Sequence, residues 1–184
     1  SVYNSMTSRL LVDKIEGKTT SGTIQMPTGH VVQVLSTTKT DSQVISGSSF
    51  VDISGLSQTI TPKFSNSKIF VQINVSFSGN QNSYIAFKIL RGSTEILKNT
   101  ESDTGIEVSG GGTINNSGNM NYSVHKESMS GFDSPSTTSA TTYKVQISPM
   151  RTSSATATVN RSHTLSDDNQ FRTASTITLM EIAQ

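Results

Sequence analysis

The chain has 184 residues, a formal net charge of +1, 32% hydrophobic and 15% charged residues, and roughly three residues in ten are Ser or Thr. That length suits one domain plus an arm, with enough chain to bury a core without staples, and the charge is too small to steer it to nucleic acid or an anionic membrane. With Cys 0 there is neither a disulfide framework nor a thiolate zinc site, and no apolar run reaches the length of a membrane span or a signal-peptide core.

The first 29 residues differ in kind from the rest. The opening Ser1 to Asn4 reads as an end left by removal of an initiator Met, which would make this the whole protein, made inside a cell. From Met6 to Gly29 there are too few apolar positions to close a core, although Leu10, Leu11, Val12 and Ile15 form a small sticky patch. Ser8 to Gly17 is ambiguous between helix and extended chain. The reading is an extended N-terminal docking arm, residues 1–29, ahead of a domain spanning residues 30–184, with the joint at Pro27 to Gly29.

Beyond the arm the readable period is two. Weak strand candidates cover His30 to Ser36 and Ser49 to Ile53. The most regular one follows: Ile69, Val71, Ile73, Val75 and Phe77 share one face, while Gln72, Asn74, Ser76 and Ser78 are polar on the other and Phe70 breaks the pattern. Gly79 to Asn82 reads as a tight connection to Tyr84–Leu90, where Ile85, Phe87 and Ile89 alternate. Arg91-Gly92-Ser93 reads as a second turn, into Thr94 to Lys98. Together these predict a three-stranded meander. Ser109 through Asn119, including Gly110-Gly111-Gly112, and Gly131 to Ala140 read as mobile surface loops.

Later strands are predicted at Met120 to Met129, at Thr142 to Ser148 (Tyr143, Val145, Ile147), at Ala155 to Val159 and at Thr173 to Ile182. In the last of these Ile177 and Leu179 share one face, and Met180 and Ile182 lie on the other. A terminal strand apolar on both faces predicts either an oligomer interface at Met180 and Ile182 or a curled sheet end. About nine strands with turn signals every ten residues or so predict an antiparallel all-β sandwich or barrel.

Reactive groups are scattered. His30, His125 and His163 lie more than thirty residues apart, with no second ligand at metal-binding spacing. Ser166-Asp167-Asp168-Asn169 offers oxygens but lacks the calcium-loop pattern, and reads as an Asx-rich turn. Glu95, Glu101, Asp103 and Glu107 form an acidic neighbourhood without a fixed separation, so a glycosidase pair is not indicated. Glu107 and Asp133 are the carboxylates by which an enzyme reading would be tested. Gly110-Gly111-Gly112 lacks the Lys-Ser/Thr pair and following helix of a phosphate loop. The sequons at Asn74, Asn115, Asn121 and Asn160 are those expected by chance in an Asn/Ser/Thr-rich chain. Neither a catalytic residue nor a cofactor is indicated. The remaining aromatics, Tyr84, Tyr122 and Phe132, with Asn80 to Asn82, read either as a shallow glycan-contacting surface or as core and subunit plugs.

Four segments carry a resemblance: SRLLVDKIEGKTTSGTIQMPTGHVVQV (Ser8 to Val34), FVDISGLSQTITPKFSNSKIFVQINVSFSG (Phe50 to Gly79), IAFKILRGST (Ile85 to Thr94) and ASTITLMEIAQ (Ala174 to Gln184). In this order they resemble virion structural proteins of marine tailed phages, of the cyanophage and pelagiphage kind, which include tail-fibre-like, head-fibre and decoration proteins. The resemblance implies a jelly-roll domain similar to the C1q and TNF type, commonly assembled as a homotrimer. It also implies a non-enzymatic virion component whose arm docks on other virion proteins, capsid or tail. A tail-fibre module binding a host receptor or surface carbohydrate is the alternative. Neither reading involves nucleic acid or membrane insertion.

Overall fold

Each strongly alternating run is a strand in the computed structural model, which describes residues 15, 24, 27–80, 84–101, 105–113, 122–150, 154–165 and 171–184. The strands are β1 (Val31–Lys39), β2 (Gln43–Ser46), β3 (Val51–Ile60), β4 (Lys68–Gly79), β5 (Tyr84–Arg91), β6 (Thr94–Ile96), β7 (Gly110–Thr113), β8 (His125–Asp133), β9 (Thr141–Pro149), β10 (Thr156–Val159) and β11 (Ser175–Ile182). All pairings are antiparallel and there is no helix among the described residues.

Sheet A holds β1, β11, β4, β10, β2 and β8, and sheet B holds β3, β9, β5, β6 and β7. The twelve-residue β4 is long enough to take two strands end to end on one edge, β11 along Lys68–Asn74 and β10 along Phe77–Gly79, while β8 fills the other edge. Outside β11 and β10 lie β1 and β2, so sheet A has four rows: β1/β2, β11/β10, β4, β8. Sheet B likewise has β3, β9, β5 and a last row shared by β6 and β7. Numbered in chain order, the rows run 1-8-3-6 in sheet A and 2-7-4-5 in sheet B. First lies beside last and second beside next-to-last, the double Greek-key winding of a jelly roll.

The inward faces make one core. Ile69, Val71, Ile73 and Val75 of β4, Phe87 and Ile89 of β5, Tyr143, Val145 and Ile147 of β9, and Ile177 and Leu179 of β11 are wholly buried. Each such side chain contributes roughly 1.5–3 kcal/mol on burial. Phe77 and Phe87 meet edge to face across the sheets, with ring centroids 5.1 Å apart.

Three buried polar knots complete it. Asp133, on β8 of sheet A, receives three hydrogen bonds from two side chains of sheet B. Arg91 Nη1 lies 2.8 Å from each carboxylate oxygen, and Tyr143 donates its hydroxyl to Oδ2 at 2.7 Å. Burial, and then the neighbouring Asp133 carboxylate, push the Tyr143 hydroxyl well above the usual tyrosine range. At the other edge Glu181 is wholly buried; its Oε1 accepts from the backbone N–H of Lys63 (2.8 Å) and Phe64 (3.1 Å), and its Oε2 from Gln33 Nε2 (2.6 Å). It thereby fixes the β3–β4 turn against the terminal strand. The third knot closes the gap where β1 passes to β2 and β10 to β11. Asn160, at φ +63°, donates to the carbonyls of Lys39 (2.8 Å) and Asp41 (2.9 Å) and accepts from Ser175 Oγ (2.6 Å).

The structure corrects several sequence expectations. The predicted meander does not form: β4 belongs to sheet A and β5 to sheet B, so the two do not pair, and of the predicted turns only the one between β5 and β6 makes a hairpin. Its two-residue loop has Gly92 at φ +60°, as primed turns require. Gly110 to Thr113 is a strand on the edge of β5 rather than a loop, and a Cβ on Gly111 would sit 2.8 Å from the Ile85 carbonyl oxygen, which is why glycine is needed there. Gly131 to Asp133 likewise belongs to β8, which begins five residues later than the predicted Met120. The short β2 escaped the periodicity because only Ile45 in it is buried.

Candidate functional site

The outward face of sheet A is where unexplained apolar residues gather. Strand register places Val34 beside Met180, Met180 beside Phe70, and Phe70 beside Phe132, giving one apolar row across all four rows of the sheet. At about 4.8 Å per strand it is roughly 14 Å long. Phe132 is 56% and Val34 52% exposed, and the Phe70 and Phe132 rings pack at 5.1 Å. Val31 pairs with Ile182 one step further along, and Ile182 shares the outward parity of Met180, so the predicted pair Met180 and Ile182 lies in this patch.

Along the same face the chemistry then changes. Two successive rows hold only hydroxyls and amides, Ser36–Thr178–Gln72–Ser130 and Thr38–Thr176–Asn74–Ser128, with Ser36 Oγ and Thr178 Oγ1 2.9 Å apart. Past these rows, where β8 begins and β11 starts, a cleft of about 740 Å³ opens between Ser76, Ser123, Lys126, Phe171, Thr173 and Thr176.

The other predicted residues do not converge. Ile15 is 60% exposed, and Leu10, Leu11 and Val12 lie outside the described residues. Tyr84 starts β5 in sheet B, Tyr122 precedes β8, and Phe132 stands near the far end of β8, seven residues and so about 23 Å beyond its first residue, His125. They do not make one sugar-binding surface. Of the carboxylates, Glu95 pairs with Lys88 at 2.8 Å, Glu107 pairs with Lys98, and Asp133 is held by Arg91 and Tyr143. Asp103 and the Ser166–Asn169 turn lie outside the described residues.

The histidines are equally separate. His30 is exposed at the start of the domain, and His125 packs its ring 5.8 Å from Phe77 with Nε2 buried and unpartnered. His163 has an unpartnered buried Nδ1, and burial, with Arg161 nearby, holds its protonation below the usual histidine range. Among the described residues no group of three or more His, Asp or Glu side chains is placed to hold a metal ion. Asn74 stands on the outward face, whereas Asn160 is buried.

The apolar row was missed as a row by sequence reasoning, which singled out Met180 and, separately, Phe132. A further signal was Phe70, the residue that broke the alternation of β4. No protein-family model matches this sequence, and neither does any curated protein. Among solved structures the chain is similar to one in the structure of infectious bursal disease virus Gx strain, at 12% identity and a TM-score of 0.41, covering 97% of this chain. It spans 42% of the length of that chain.

Proposed function

We propose that the protein is a non-enzymatic structural component of a tailed-phage virion, anchored by residues 1–29 and assembled as a homotrimer through the outward face of sheet A. The observation that carries the assembly is the apolar row Val34–Met180–Phe70–Phe132, contributed by four strands that are distant in sequence. Solvent-facing alternation should make these positions polar, as it does in the hydroxyl and amide rows beside them. A row of this kind gains free energy by meeting an apolar surface, and a copy of the same chain offers one. The resemblance in the four quoted segments supports the virion setting, with the jelly roll projecting as a fibre, decoration or adaptor piece.

Two experiments test this. Sedimentation of the full chain at micromolar concentration is expected to give three times the 19.7 kDa chain mass, and Phe132→Asp with Met180→Asp to give the monomer mass. A wild-type monomer at tens of micromolar would refute the trimer. Separately, removing residues 1–29 is expected to leave a folded sandwich that no longer joins particles; a truncated chain that still joins them refutes the arm.

A further inference from the structure

We infer that the cleft at the end of sheet A is a binding site for an acidic saccharide, a sugar bearing a carboxylate or sulfate. Its shape is the first reason: about 740 Å³ falls within the range of small-ligand sites. Its lining is the second. Phe171, 63% exposed, puts a flat apolar ring beside the hydroxyl-bearing Ser76, Ser123, Thr173 and Thr176. Aromatic faces stack on the C–H faces of sugars while hydroxyls pair with the ring substituents.

The cleft walls are also tied together. Ser162 is wholly buried and donates through Oγ to the Tyr122 carbonyl at 2.8 Å. The same Oγ accepts from the backbone N–H of Phe171 at 3.3 Å, and Ser162 N–H donates to the Phe171 carbonyl at 3.1 Å. The segment leading into Ser123 and the segment carrying Phe171 are therefore held in a set relation, which limits the ordering cost of binding.

Charge selects the acidic class. Lys126 lies on the cleft, exposed and without an acidic partner among the described residues. Glu127, the next residue along β8, turns away: its Oε1 lies 2.7 Å from where a Cβ on Gly110 would sit, on the β7 side. Lys126 is thus the one charged residue among the described residues lining the cleft, apart from the titratable His125.

The test is titration of the full chain with an oligogalacturonate, a sulfated galactan oligosaccharide and neutral maltotriose, followed by amide NMR shifts. Binding of at least one acidic probe about tenfold more tightly than maltotriose is expected, weakening with added salt. Phe171→Ala is expected to abolish binding of every probe, and Lys126→Gln to remove the acidic preference, with thermal melts confirming that both variants fold. Lys63→Gln, a cation outside the cleft, is expected to bind as wild type. The inference is overturned if neither acidic probe binds up to about 10 mM, if maltotriose binds equally well, or if the folded Phe171 and Lys126 variants bind unchanged.

Discussion

Asn160 offers the sharpest test of how this sandwich is closed. Its side chain makes three hydrogen bonds, to the Lys39 and Asp41 carbonyls and from Ser175 Oγ, and only 2% of it is exposed. Asn160→Gly keeps the +63° backbone without strain but removes all three bonds, leaving the Lys39 and Asp41 carbonyls without this donor and Ser175 Oγ with only the Ser76 N–H it accepts. A net hydrogen bond is worth about 1 kcal/mol and a buried orphan costs about 1–3 kcal/mol, so the loss is about 3–5 kcal/mol. Against a whole-domain stability of about 5–15 kcal/mol this is a third or more. With m roughly 2 kcal/mol/M, the urea midpoint should fall by about 2 M at unchanged m.

Asn160→Ala loses the same bonds and adds left-handed strain of roughly 1–2 kcal/mol; the smaller unfolded-state entropy of Ala offsets about 0.4–1 kcal/mol of that. Asn160→Asp isolates the amide. It keeps size and tolerance of positive φ but turns two donors into acceptors facing carbonyl oxygens, so at pH 7 it should lose at least as much as the glycine variant. The assay is urea unfolding followed by circular dichroism at one fixed protein concentration, because self-association shifts apparent stability. An aspartate variant within 1 kcal/mol of wild type would refute the reasoning.

Three further outcomes follow from the buried groups. Glu181→Ala strands the Lys63 and Phe64 N–H groups and removes one of the two bonds of Gln33 Nε2, and is expected to cost about 3–6 kcal/mol, with Glu181→Gln costing less because one acceptor oxygen survives; equal losses in thermal melts would contradict this. Tyr143, raised by burial and Asp133, is expected to stay protonated as pH passes 10 and to ionise only on unfolding. The unfolded chain releases that proton first, so stability declines as pH rises above the ordinary tyrosine value. Absorbance at 295 nm is expected to rise alike in wild type and Tyr143→Phe around pH 10, with the extra wild-type step appearing only on unfolding, and a variant that loses amplitude near pH 10 would count against it. His163 has its proton affinity lowered by burial and Arg161, so the unfolded chain binds more protons below pH 6.5. Stability therefore falls as pH drops through that value, and His163→Gln should flatten the melting-temperature slope between pH 7.5 and 5.5; an unchanged slope would show that His163 does not contribute.

Much of the fold was legible because strand alternation is local. Ile69 to Phe77, Ile85 to Ile89, Tyr143 to Ile147 and Ile177 with Leu179 each declare a buried face within a few residues, and all are core strands in the structure. Gly110 to Thr113 was not legible, since a strand made chiefly of glycine has no side chains to alternate and is defined only by its pairing with β5. Asp133 read as a loose carboxylate because nothing nearby in sequence announces Arg91 and Tyr143, 42 and 10 residues away.

From the chain order of its residues alone came most of the strands, the all-β class and the placing of Met180 and Ile182 on the face opposite Ile177 and Leu179. Which strands pair, and in what register, depended on the tertiary structure. The same outward parity that left Phe70 as an exception on β4 becomes meaningful only when β1, β11 and β8 bring Val34, Met180 and Phe132 level with it. Likewise the cleft joins Lys126 at the start of β8 to Phe171 ahead of β11, residues that no periodicity links. The physical reason is that side-chain alternation follows from the geometry of a single strand. Register follows from the whole chain settling its core, its buried hydrogen bonds and its turns at once.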